Sequence, residues 1–177
     1  MNIFALEIWY DEGSICTFYT VRFLDDDREL ESETDRFFET YIQRDKYREE
    51  GYLLFRLLTE SIGNKYGATD DFFNRYENKA LSLPPKPYSN VEEIIDIGIN
   101  FPLRLFCYRI SKHIVILFNG GIKESKTVQE SKSLSMKFYE AQQFVRKIEE
   151  AMYDNVVFIS ENERYLINYD YSTEIIL

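Results

Sequence analysis

Apolar positions change their spacing several times along this chain, and each change marks an element. Residues 3–10 (Ile-Phe-Ala-Leu-Glu-Ile-Trp-Tyr) and 15–24 (Ile-Cys-Thr-Phe-Tyr-Thr-Val-Arg-Phe-Leu) are dense in aromatic and β-branched side chains, with Asp11-Glu12-Gly13-Ser14 between them. That pattern predicts a β-hairpin. Ser32-Glu33-Thr34-Asp35 is close to a capping box, with carboxylates at the positive end of a helix dipole, so a helix should begin there. Phe37, Phe38, Tyr41 and Ile42 recur at helical spacing, and Leu54, Leu57, Leu58 and Ile62 continue the stripe until Gly63 and Gly67. Two helices or one bent helix fit equally. Thr69-Asp70-Asp71 caps a further short helix carrying Phe72, Phe73 and Tyr76, and Leu83-Pro84-Pro85-Lys86-Pro87 is an extended loop because each proline removes a donor and restricts its predecessor.

From 91 to 100 two patterns compete. Ser89 with Glu92 suggests a helix start, whereas Ile95, Ile97 and Ile99 alternate as in a strand. Residues 101–110 are clearer: Phe101, Leu103, Leu105 and Cys107 share one strand face, and Arg104, Phe106 and Tyr108 share the other. The apolar run Ile114–Phe118 supplies an antiparallel partner across a turn at Ser111-Lys112, and Asn119-Gly120-Gly121 ends it where positive φ or close backbone approach is needed. Leu134, Phe138, Ala141, Val145, Ile148 and Met152 alternate spacings of four and three, the stripe of one long amphipathic helix. Residues 156–160 and 164–170 predict a second hairpin, and Glu174-Ile-Ile-Leu177 is either an edge strand or a cover for the core.

Composition narrows the class. The chain has 177 residues, 45% of them apolar, enough for one sizeable core and short for two, so one domain spanning 1–177 is expected. No stretch approaches the roughly 20 apolar residues of a membrane span and no secretory leader is evident, which points to a cytoplasmic protein. Two cysteines far apart and a single histidine offer no disulfide framework and no ligand set for a metal, so neither cofactor nor metal is expected. The net charge of −10 disfavours a nucleic-acid binder, but its distribution is uneven. Residues 1–100 carry 11 basic and 21 acidic side chains, residues 101–150 carry 9 and 5, and residues 151–177 carry 1 and 5. The one basic segment is 101–150.

That segment carries a resemblance. Phe101-Pro-Leu-Arg-Leu-Phe-Cys-Tyr-Arg-Ile, then His113-Ile-Val-Ile-Leu-Phe-Asn-Gly-Gly-Ile-Lys-Glu-Ser-Lys-Thr, then a helix containing Glu140-Ala141, resembles the C-terminal strand–strand–helix part of the RelE/ParE/HigB toxin superfamily. The match covers about 50 residues, within roughly 91–152. The resemblance implies an α+β fold, a curved antiparallel sheet with helices packed on one face, here with added N-terminal helices and a C-terminal hairpin. It further implies the toxin of a type II toxin–antitoxin pair, a metal-independent endoribonuclease acting on mRNA in the ribosome, neutralised by a cognate antitoxin protein. Homodimerisation stays open.

Carried over residue by residue, Arg104 and Arg109 match arginines of the first strand, and Lys123 matches the lysine after the glycine turn. With Tyr108 they form the expected catalytic set, and Lys112 and Lys126 are expected to touch substrate. Cleavage through the 2′-hydroxyl needs a base, an acid for the 5′-oxygen and cations for the developing phosphate charge. Arg104 supplies bidentate phosphate contact if its face is open, Lys123 a second cation, and Tyr108 a stacking surface or a proton. The bland reading is that these residues solvate the exposed face of a half-buried sheet. His113 and Cys107 read as structural, the thiol packing as a small hydrophobe. Glu124 stands where many relatives carry a second basic residue, so a non-catalytic RelE-fold protein-interaction module is the second reading.

Overall fold

The computed structural model describes residues 3–24, 31–123 and 132–177. Strands β1 (Phe4–Tyr10) and β2 (Thr17–Phe23) form the N-terminal hairpin, antiparallel from Phe4↔Phe23 to Tyr10↔Phe18 with an irregularity between Ile8 and Tyr10. Helix α1 (Glu33–Ile42) begins where the capping motif places it: the Ser32 hydroxyl accepts from the Asp35 N–H at 3.1 Å. A 3₁₀ turn at Asp45–Tyr47 leads into α2 (Arg48–Arg56), which runs on as a π-helix over Leu57–Tyr66. In its last turn the Gly63 carbonyl, past the helix's own donors, accepts from both the Ile15 and Cys16 N–H groups, at 2.9 and 3.0 Å, and so pins the β1–β2 turn. Gly67, at φ 78, ends the helix.

The remaining elements are β3 (Tyr76–Glu77), β4 (Ala80–Leu83), α3 (Glu92–Ile97), β5 (Leu103–Arg109), β6 (Ile114–Ile122), α4 (Lys132–Tyr153), β7 (Val157–Ile159), β8 (Leu166–Asn168) and β9 (Ile175–Ile176). Seven strands form one sheet in the order β3-β4-β5-β6-β2-β1-β9, and β7 pairs with β8 apart from it. The fold is α+β, but the sheet is mixed rather than antiparallel, because β2 runs parallel to β6 from Thr17↔Ile114 to Thr20↔Leu117.

Helices cover both faces of this sheet, which corrects the one-faced arrangement. Phe37, Leu54, Leu58, Ile62 and Ile94 from α1, α2, the π-helix and α3 pack with Phe18, Leu103, Leu105, Cys107, Val115 and Leu117. On the opposite face Leu134, Ala141, Phe144, Val145 and Ile148 of α4 pack with Phe4, Val21, Phe106, Ile114, Ile116 and Phe118. The physical reason is legible in β6: five consecutive apolar residues leave neither face polar, and a strand buried on both sides reads as a continuous run. Each fully buried Phe or Leu contributes roughly 1.5–3 kcal/mol of transfer free energy to these two cores.

Three local expectations change. Residues 69–73 form a turn, with Phe72 N–H on Thr69 O and Phe73 N–H on Asp70 O, instead of a helix. The chain then reverses at Asn78 (φ 65) so that β4 can pair with β5, and this burial of Leu81 and Leu83 outweighs one isolated helical turn. The 91–100 segment resolves as α3, stopped by Gly98 at φ 76. Asn119-Gly120-Gly121 does not end β6, which continues to Ile122 past an irregularity opposite Leu105–Cys107. Close approach is the reason for Gly120: a Cβ there would lie 1.8 Å from the Arg104 carbonyl oxygen. The C-terminal segment pairs as an edge strand on β1, with Phe4 and Leu177 exchanging N–H···O bonds of 2.9 and 2.8 Å. Among the described residues no helix is long and apolar enough to cross a membrane.

Candidate anion-binding corner

Arg104 lies on the α4 side of β5, opposite Gly121 of β6. It is not on an open face. Only 2% of the residue is exposed, and its Nη1 donates to the carbonyls of Phe101 (2.8 Å) and Leu103 (2.7 Å). No described residue accepts from Nε or Nη2. Lys123 follows β6 on the same side, its N–H held by the Pro102 carbonyl at 2.7 Å. Across the other flank of β5, Arg75 is anchored by Nε to the Pro84 carbonyl at 3.0 Å, and Glu77 accepts from the Ser82 hydroxyl at 3.3 Å. Ser82 is opposite Phe106, so all these groups share one face at one end of the sheet.

Arg75 and Glu77 act on both Arg104 and Lys123, and Arg104 acts on Lys123. Burial, with the neighbouring Arg75 adding to it, pushes the Arg104 guanidinium down to about 10, still charged at neutral pH. Lys123 is lowered by burial and then by Arg104 and Arg75; Arg75 itself is lowered by burial. Glu77 opposes each of these shifts. Among the described residues none of the three cations is in an ion pair, whereas Arg22, Arg36, Arg109 and Lys137 all are. Among the described residues, three partly desolvated cations thus share one face with a single carboxylate, an arrangement whose chemistry suits an anionic ligand.

Arg75 and Glu77 were not anticipated as site residues. Their position is set by α4, not by neighbours in the chain. Gln142 donates from Nε2 to the Glu77 carbonyl at 2.6 Å and accepts at Oε1 from the N–H groups of Lys79 (2.9 Å) and Ala80 (3.2 Å). One side chain of α4 thus clips the β3–β4 hairpin in place. The only signal in sequence was the alternation of charge and polarity in Asn74-Arg-Tyr-Glu-Asn-Lys79 between apolar runs.

The rest of the expected catalytic set is dispersed. Tyr108 shares the α4 side with Arg104, four residues along β5, but its hydroxyl reaches Glu149 of α4 at 3.5 Å. Its phenol is pushed up by burial and then by that carboxylate, which also pairs with Lys79. Arg109 projects to the opposite side of the sheet, where it donates to the Ala68 carbonyl (3.1 Å), pairs with Asp70 (2.7 Å) and lies over Phe73. An odd separation along a strand forces that outcome: Arg104 and Arg109 cannot face one ligand. Lys112 sits exposed in the β5–β6 turn, its aliphatic stem over Gly67, at the far end of β5 from Arg104. Lys126 is outside the described residues.

His113 is structural: its Nδ1–H donates to the Ile15 carbonyl at 2.9 Å and joins the β5–β6 turn to the start of β2. Cys107 is fully buried with its thiol against the Leu81 carbonyl, and burial raises its pKa far above the ordinary thiol value. Neither group is placed for nucleophilic chemistry. Among the described residues no group of three His, Cys, Asp or Glu side chains converges to hold a metal ion. No protein-family model, no curated protein and no solved structure matches this chain.

Proposed function

We propose that the chain is a RelE-like toxin of a type II toxin–antitoxin pair, a metal-independent endoribonuclease whose phosphate site is the Arg75–Arg104–Lys123 corner. The observation that carries this reading is that three cations, none of them in an ion pair among the described residues, share one face of the sheet with a single carboxylate, in a chain that is otherwise strongly acidic. The resemblance of 101–151 supports it independently. In this reading the arginines hold the scissile phosphate and Glu77 takes the proton of the 2′-hydroxyl. The 2′-oxygen then attacks phosphorus, the bond to the 5′-oxygen breaks, and a 2′,3′-cyclic phosphate forms. Lys123 gives its proton to the departing 5′-oxygen, a role favoured by the lowered pKa that burial and two arginines impose.

A second reading, a non-catalytic RelE-fold interaction module, is favoured by one observation: Arg104 is buried, with only 2% of the residue exposed. Expression of the chain alone in a bacterial host separates the two. Growth arrest, relieved by a Lys123→Ala/Glu77→Gln variant that accumulates to the same level and melts at the same temperature, supports the toxin. Cleavage products ending in cyclic phosphate would then be mapped on mRNA. Undiminished growth with the wild-type chain leaves the interaction module as the better account.

A further inference from the structure

The opposite edge of the sheet carries a surface of different character. Trp9, at the irregularity near the end of β1, stacks on Phe38 of α1 (centroids 5.4 Å apart, planes 15° apart) and meets the edge of Phe55 of α2 at 5.7 Å. Tyr10 adjoins Trp9 at 6.4 Å. These four rings line an open hollow of about 430 Å³, with Asp35 and Glu39 of α1 at its rim. The two carboxylates are in different situations. Asp35 is engaged, accepting from Trp9 Nε1 (2.9 Å) and from the Ser32 hydroxyl (2.7 Å), which fixes the indole. Glu39 is exposed and forms no ion pair with any described cation.

Apolar surface continues along the helices: Ile42 of α1 also lines the hollow, and Tyr52, one turn before Phe55 on α2, is 52% exposed. Grouped aromatic and aliphatic exposure of this kind marks an interaction site rather than the scattered apolar residues of an ordinary surface.

We infer that this hollow is a docking site for a basic segment of a partner protein, one that presents an arginine or lysine flanked by aliphatic side chains. Charge complementarity selects that occupant. Aromatic faces attract a cation placed over them, Glu39 supplies a counter-charge that no described cation pairs with, and the net −10 of residues 1–100 draws in a basic chain. The aliphatic flanks cover Ile42 and Tyr52. Because β1 and β3 lie toward opposite edges of the sheet, such a partner leaves the Arg75–Arg104–Lys123 corner uncovered. The inference does not depend on the toxin reading.

Trp9 is the single tryptophan of the chain, so its emission reports on the hollow directly. The experiment titrates the full chain, at physiological salt, with the peptide acetyl-Leu-Arg-Leu-Arg-amide and with its twin carrying citrulline in place of arginine. A saturable change in Trp9 emission is expected, weaker by about tenfold or more for the citrulline twin. Glu39→Gln and Phe55→Ala, both surface positions, should each weaken arginine-peptide binding several-fold while the melting temperature stays within a few degrees. Equal affinity for the twin, or binding that survives both substitutions, would assign the effect to general attraction by an acidic surface and overturn the inference. Absence of any saturable change at millimolar peptide overturns it as well.

Discussion

Gln142 of α4 and Glu77 of β3 are joined side chain to backbone at 2.6 Å, across 65 residues of sequence. The same amide holds Lys79 and Ala80, so the hairpin that carries Arg75 and Glu77 has its orientation imposed by a helix on the far side of the chain. Replacing Gln142 by leucine removes three hydrogen bonds at a partly buried joint and should cost about 1–3 kcal/mol in urea unfolding. If the corner is the RNA site, cleavage falls further than stability does. A variant as stable and as active as the wild type would show that the hairpin holds itself.

Glu33 is a buried carboxylate, 1% exposed, at the start of α1. It accepts from Asn119 Nδ2 (2.8 Å) at the β6 irregularity, from Arg36 (2.9 Å) and from Lys137 of α4 (3.4 Å), and so links helices on both faces through the sheet. Glu33→Leu strands those donors in a dry site and should cost about 3 kcal/mol or more. Lys137→Met should cost under about 1 kcal/mol, since that ammonium is nearer solvent and also pairs with Glu140. Denaturant midpoints for the two variants give the comparison directly; equal losses would contradict the burial difference.

Gly120 and Gly98 resist substitution for different reasons and by different amounts. At Gly120 an alanine methyl collides with the backbone of Arg104, so β5 and β6 must part. A loss exceeding about 3 kcal/mol, or failure to fold, is expected. At Gly98 nothing lies within 4 Å of the added Cβ and only the backbone, at φ 76 and ψ −176, opposes it, giving a cost of about 1–3 kcal/mol. Thermal melts of Gly120→Ala and Gly98→Ala should rank in that order.

Burial pushes the Cys16 thiol up to about 12 and raises Cys107 further. Both side chains therefore stay protonated and covered at pH 8, where a free cysteine is already partly thiolate. A disulfide-exchange reagent that counts accessible thiols should find none in the folded chain and two after denaturation. One fast-reacting thiol in the native protein would refute the burial of that residue.

Lys65 holds Glu93 below its ordinary value of 4.5 through a 2.8 Å contact that ties the π-helix to α3. A carboxyl depressed in the folded state stabilises the fold at pH values above the unfolded value, and that contribution disappears as pH falls through the folded one. Glu93→Gln should therefore be less stable than wild type at pH 7, with the gap closing in acid. A gap that is constant across the range would mean the pair contributes nothing electrostatic.

Elements specified by local pattern were legible from the residues alone. Ser32 caps α1 as its motif requires, the alternation of Leu103, Leu105 and Cys107 against Arg104 and Phe106 sorts the two cores, and the 134–152 stripe becomes α4. What escaped is what depends on distant partners. Phe72 and Phe73 suit a helix turn as well as they suit a loop feeding a hairpin, and only pairing of β4 with β5 decides. The cationic corner was half visible: Arg104 and Lys123 share a face because β5 and β6 are adjacent in the chain, whereas Arg75 and Glu77 are brought there by Gln142. Period-two reasoning separates Arg104 from Arg109 onto opposite sides, and applied strictly it already divides the expected set.

The parallel pairing of β2 with β6 has a consequence in time. Residues near 17–20 find their partners roughly a hundred positions later, so the middle of the sheet closes only after most of the chain exists. At a synthesis rate of about 5–20 residues per second, β2 waits about 5–20 s for β6, and Val21 waits longer still for its cover from α4. During that interval the β2 edge that will meet β6 is unpaired and open to whatever extended segment arrives first.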